Sequence, residues 1–188
     1  MISFYIVALP LSSLFLVLIR WTHFVGAFTA VGSIFTALFI VTPILRTLSG
    51  EIKTVAASRL IPVLLAVHVF AIDITMAGGL ALAWFMSGGN LLAFVTTRWG
   101  ITVLAAGILT IVMQFNAERA MRKSGFALNL HRPSPIQMLL QMPSANGGAS
   151  SSQTSALYEE LTGVIRTNFV LALAIMFLMG FAARGALI

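Results

Sequence analysis

The chain has no cysteine in its 188 residues, which excludes a structural disulfide, a thiolate metal site and a cysteine nucleophile. Charge is almost as scarce. Only 9% of the residues are charged and five are acidic, where a soluble domain carries roughly 25% charged residues. There is no glycine-rich phosphate loop, no His-Glu-x-x-His, and no serine, histidine and acid set in polar surroundings, so a soluble-type active site is not expected and turnover by this chain on its own is disfavoured. The net charge of +6 could suggest nucleic acid. The Lys and Arg residues, however, stand at the ends of apolar segments and are not interleaved with aromatics along one face, so nucleic acid is not an expected partner.

What the sequence has in abundance is apolar surface. Hydrophobic residues make up 59% and the mean hydropathy is +1.01, which makes lipid the expected solvent. Four apolar stretches are separated by turn signals: residues 21–45, 60–86, 99–115 and 164–183. The expected fold is an all-α, up-and-down bundle of four transmembrane helices occupying residues 21–188. Residues 1–20 are too many to join the first crossing and read as an apolar extension lying in the interface or against a neighbour. Pro62 is expected in the first turn of the second helix, where its missing N–H costs least. Residues 124–154, with Pro133, Pro135, Pro143 and a low-complexity Asn/Gly/Ser run, read as a mobile connection. His131 falls within it as a loop residue.

Charge sets an expected orientation. Arg46, Lys53, Arg59, Arg119, Arg122, Lys123, Arg132 and Arg166 fall on one side, and only Arg20, Arg98 and Arg184 on the other. The positive-inside rule places the connections 46–59 and 116–163 in the cytoplasm and both termini outside, in an inner or plasma membrane. Trp21, Trp84 and Trp99 then fall at the outer span ends, as an interfacial aromatic belt would.

An ionisable residue inside a span is costly and marks a candidate site. Three qualify. His23 lies just below Trp21 on a ridge with Gly26, Ala30, Ser33 and Ala37, and so points into the bundle, either hydrogen-bonded across a helix interface or ligating a metal or haem. His68 shares a face with Ile72, Thr75 and Gly79, roughly 12 Å from the basic end of its span, while His23 counts roughly 33 Å from the basic end of its own. That difference of roughly 20 Å disfavours one haem held between the two histidines. Asp73 is about 140° around the helix from His68, near mid-membrane. It is expected to be hydrogen-bonded to a threonine of a neighbouring span (Thr29, Thr36, Thr102 and Thr110 are the available donors), paired with a cation, or engaged with a proton or metal ion. The methionines read as packing residues, since only Met176 and Met179 stand one turn apart.

The first span reads Arg20-Trp21-Thr22-His23-Phe24-Val25-Gly26-Ala27, then Val31-Gly32, and leaves through Pro43, Leu45 and Arg46. It resembles the opening helix of the copper-resistance protein D superfamily and related small four-helix membrane proteins, where an Arg-Trp-x-His start precedes a glycine-rich helix. Arg166-Thr167-Asn168, followed by an apolar run to Gly180 and Arg184, is similar to that group's closing helix. The two segments cover about a quarter of the chain. The resemblance implies that His23 is a candidate ligand for copper or haem b, and a related membrane group oxidises a porphyrin precursor with haem held by a histidine in a comparable helix. The expected role is a small membrane subunit handling a metal or haem, in copper handling or electron transfer, with His23 and then His68 as ligands. The alternative is a non-catalytic accessory subunit among other membrane subunits.

Overall fold

A computed structural model describes residues 11–123 and 151–185, and all regular structure within them is helical. The elements are α1 (Leu11–Phe35), a π-helical turn (Thr36–Val41), α2 (Thr42–Thr47), α3 (Gly50–Met86), α4 (Leu91–Val95), α5 (Arg98–Lys123) and α6 (Ser151–Gly185). Among the described residues, four stretches are long and apolar enough to cross a membrane: Ser13–Thr47, Val63–Met86, Arg98–Arg122 and Tyr158–Arg184. The protein is therefore an all-α, four-helix integral membrane protein.

Two helix limits differ from the sequence expectation. The first helix is already formed at Leu11, the first described residue, and does not start near Trp21, because nothing from Leu11 to Trp21 breaks a helix and the exposed Arg20 can carry its long side chain away from the axis. α3 begins at Gly50, so Pro62 lies inside it and not in its first turn. The helix continues through the proline because the segment before it already packs, with Ala57 and Ile61 buried in the core. Residues 124–150, most of the connection read as mobile, fall outside the described residues, as do residues 1–10 of the apolar extension.

The π turn has a local cause. Pro43 lacks the N–H that would bond the Phe39 carbonyl, and the ladder widens by one residue: the Thr42 N–H reaches the Ala37 carbonyl, which also accepts from Thr42 Oγ1 at 2.7 Å. At the opposite end, α3 stops where Gly88 and Gly89 take φ of 60° and 84°, values that a side chain disfavours. α5 opens on Thr97, whose Oγ1 accepts from the Gly100 N–H at 2.9 Å, the bond of an N-cap. A Cβ at Gly100 would overlap the Phe94 carbonyl, so only glycine fits there.

α1 packs antiparallel on α3, and α5 on α6. A larger apolar cluster holds the basic end together, from Ile34, Leu45, Ile61 and Leu65 to Ala117, Met121, Leu161 and Ile165. Lys53 sits 5.2 Å from the centroid of the Tyr158 ring at the same end. A smaller cluster of Ala30, Ala71, Ile72, Met113 and Ala172 lies at mid-height. Large apolar side chains such as Phe28, Leu80, Phe115 and Phe177 face outward, as they do when lipid and not water surrounds the bundle.

Candidate functional site

The α1–α3 contact is built on small residues. A Cβ at Gly26 would come within 2.6 Å of Thr75 Oγ1, and one at Gly78 within 3.0 Å of the His23 Cβ, so glycine at both positions allows a close approach that any side chain would widen. Across this contact the two histidines make reciprocal bonds. His23 Nδ1 on α1 meets the Thr75 carbonyl of α3 at 2.8 Å, and His68 Nδ1 on α3 meets the Ala30 carbonyl of α1 at 2.9 Å. A carbonyl only accepts, so Nδ1 carries the proton in both rings and Nε2 presents a lone pair.

The two Nε2 atoms meet different surroundings. His68 is fully buried, and its Nε2 accepts from Asn168 Nδ2 of α6 at 3.3 Å. The same amide donates to the Met113 carbonyl of α5 at 3.0 Å, while Asn168 Oδ1 accepts from Asn116 Nδ2 at 3.3 Å. Ser33 Oγ donates to the Ala30 carbonyl and lies 3.4 Å from His68 Nδ1. Ring and amide atoms of His68 and Asn168 are thus all used, in one network that joins α1, α3, α5 and α6. In this arrangement His68 has no ring nitrogen left to bind a metal. His23 is only partly buried. Its ring rests on Gly79 and beside Phe24, and its Nε2 makes no hydrogen bond among the described residues.

Register corrects the spacing of the pair. His23 faces Thr75 and His68 faces Ala30, seven residues on either helix, so the histidines stand about 10 Å apart along the axis and not 20 Å. The sequence estimate set the start of the second span at residue 60 level with the end of the first at residue 45. The observed pairing puts position 53 opposite position 45. One haem between the two rings is still disfavoured, because His68 Nε2 is occupied.

Asp73 turns away from both histidines and is exposed on the outside of the bundle. Its Oδ1 accepts from Gln114 Nε2 at 3.0 Å, and Gln114 Nε2 also donates to Glu118 Oε1 at 3.1 Å. Glu118 Oε2 lies 3.5 Å from Arg122. One observed donor to Asp73 is thus an amide, while Thr102 and Thr110 donate to the Arg98 and Ala106 carbonyls of their own helix. Gln114 Oε1 is buried without a hydrogen-bond partner.

Among the described residues no three His, Asp or Glu side chains cluster closely enough to hold a metal ion. Sequence reading missed Asn168 as a site residue, and missed Gln114 and Asn116 altogether, because it weighed ionisable groups and passed over amides. A lone amide in an apolar helix was the signal available. No protein-family model, no curated protein and no solved structure matches the chain.

Proposed function

We propose that this chain is a small membrane subunit that lends one imidazole nitrogen, His23 Nε2, to a metal or haem near the tryptophan end of the bundle. The supporting observation is that Nδ1 is anchored on the Thr75 carbonyl while Nε2 has no bond among the described residues. That is the state of a histidine ligand whose second nitrogen fixes ring orientation and raises basicity. Gly78 and Gly79 give the ring its seat. Bound copper or haem would supply one-electron chemistry there. The chain's own part is to present one imidazole at a fixed angle, and the remaining ligands come from outside its described residues. His68, first a second ligand candidate, serves in this reading as the polar tie between helices.

The test is direct. Protein purified in mild detergent is examined for a Soret band and for bound copper, with His23→Ala and His68→Ala as variants. His23→Ala should abolish the signal, while His68→Ala should retain it in whatever fraction folds. Protein loaded with haem or copper to the same level after His23→Ala would remove the proposal.

A second reading, an accessory subunit without a cofactor, is favoured by Asp73, which is exposed on the outside of the bundle within its membrane stretch, since a polar group there suits contact with protein better than with lipid. It predicts neither haem nor copper, with stable co-purifying partners. In both readings the basic end is cytoplasmic and both termini lie outside, on the strength of the charge asymmetry.

A further inference from the structure

The imidazole of the proposed site has a cation beside it. Within the stretch Ser13–Thr47 the charged side chains are Arg20 and Arg46, and Arg20 stands three residues before His23 on the unbroken helix α1. That spacing is about 4.5 Å along the axis, and it separates the two side chains by only about 60° around it. Side chains of a helix lean toward its N-terminus. Both therefore project toward the tryptophan end, with Arg20 just under one turn nearer the surface than His23. Arg20 is exposed and makes no ion pair or hydrogen bond among the described residues. His23 Nδ1 is held by the Thr75 carbonyl, and its Nε2 is not bonded among them.

We infer that the ligand at this site is an anionic metalloporphyrin of the haem class, and that Arg20 holds its carboxylate side chains. The inference rests on the reading of His23 Nε2 as a ligand nitrogen, and it chooses between the two ligands named there. The first argument is donor number. Among the described residues no three His, Asp or Glu side chains cluster, and the chain has no cysteine. A bare copper ion would find one strong donor among them, whereas a porphyrin supplies its own ring of nitrogens and its iron can be held by a single histidine. The second argument is charge. A fixed guanidinium close to the imidazole repels a bare metal cation and attracts an anionic ligand. It also meets a carboxylate with two parallel hydrogen bonds and keeps its charge at any working pH. The third is depth. Haem carries its propionates on one edge of an otherwise apolar disc, and in a bilayer that edge belongs toward the surface and the disc in hydrocarbon. α1 places its two side chains in that order, the neutral nitrogen deeper and the cation nearer water.

Haem and its dimethyl ester differ only in those carboxylates, and so read Arg20 separately from His23. Full-length protein in mild detergent, stripped of any bound haem, is titrated with each while the Soret band is followed, with His23→Ala as the baseline for uptake by micelles. The native chain should bind haem roughly tenfold more tightly than the ester. Arg20→Gln should lose that preference by weakening haem alone, and Arg20→Lys should restore part of it. A preference unchanged in Arg20→Gln, or a loss that falls equally on haem and ester, would overturn the inference while leaving His23 as a ligand. Copper held through His23 with no haem bound would also overturn it and keep the subunit's metal role. If neither haem nor copper responds to His23→Ala, the inference and the reading beneath it fall together.

Discussion

His68 and Asn168, one hundred positions apart in the chain, meet at 3.3 Å where all four long helices come together. Each uses the other to satisfy a group that apolar surroundings would leave costly. Replacing Asn168 with Leu strands His68 Nε2, removes the side-chain donor from the Met113 carbonyl and takes the acceptor from the Asn116 amide, and should destabilise the bundle by about 1–3 kcal/mol. The pairwise coupling in a His68→Ala/Asn168→Ala cycle should be smaller, about 0.6–1.7 kcal/mol, as for other hydrogen bonds between membrane helices. Unfolding in bicelles with a steric trap measures both. No coupling would mean that the two side chains do not bond.

The glycine contact sets the position of His23. Gly78→Val should push α1 from α3, since even a Cβ would lie 3.0 Å from that of His23, at a cost of about 1–3 kcal/mol. Gly107→Ala, where nothing lies within 4 Å of the added carbon, should be neutral or slightly stabilising on helix propensity. Comparing the two by thermal unfolding separates loss of the contact from a general effect of replacing glycine.

Nitrogen NMR reads the two rings separately. Of the chain's three histidines, His23 and His68 should show the Nδ1–H form, and a titrated haem or copper probe should move the Nε2 resonance of His23 while leaving that of His68 in place. A shift at His68 Nε2 instead would require Asn168 to swing away, contrary to the network described.

Sidedness can be checked by labelling. Asn90→Cys at the tryptophan end and Ser49→Cys at the basic end are both at exposed positions, in a chain with no other thiol. An impermeant maleimide should label the first in intact cells and the second only after permeabilisation. The reverse pattern would invert the orientation.

The fold was legible because hydropathy records the solvent, and four apolar runs of bilayer length leave few alternatives. Turn glycines such as Gly88 and Gly89 also announced the end of α3. Helix limits were less legible: Pro62 suggested a start, yet α3 runs through it, since packing of Ala57 and Ile61 decides and not propensity alone. Of the site, the inward face of His23 could be read from the ridge of small residues. The use of His68 could not, because its partner Asn168 lies in another helix, and which neutral amide meets which ring depends on a register that no single helix encodes. The same holds for Asp73, whose donor Gln114 sits 41 positions away.

The first apolar stretch, Ser13–Thr47, has a consequence of its own. Its 35 residues extend about 52 Å, against some 30 Å of hydrocarbon. Hiding that length by inclination alone would demand a slope of about 55°, beyond the 0–40° found for membrane helices. Either the excess runs along the interface, where the exposed Arg20 reaches water, or the surrounding bilayer thickens to meet it; in the second case, in a series of phosphatidylcholines of increasing acyl length, its resistance to unfolding should climb with the length of the chain.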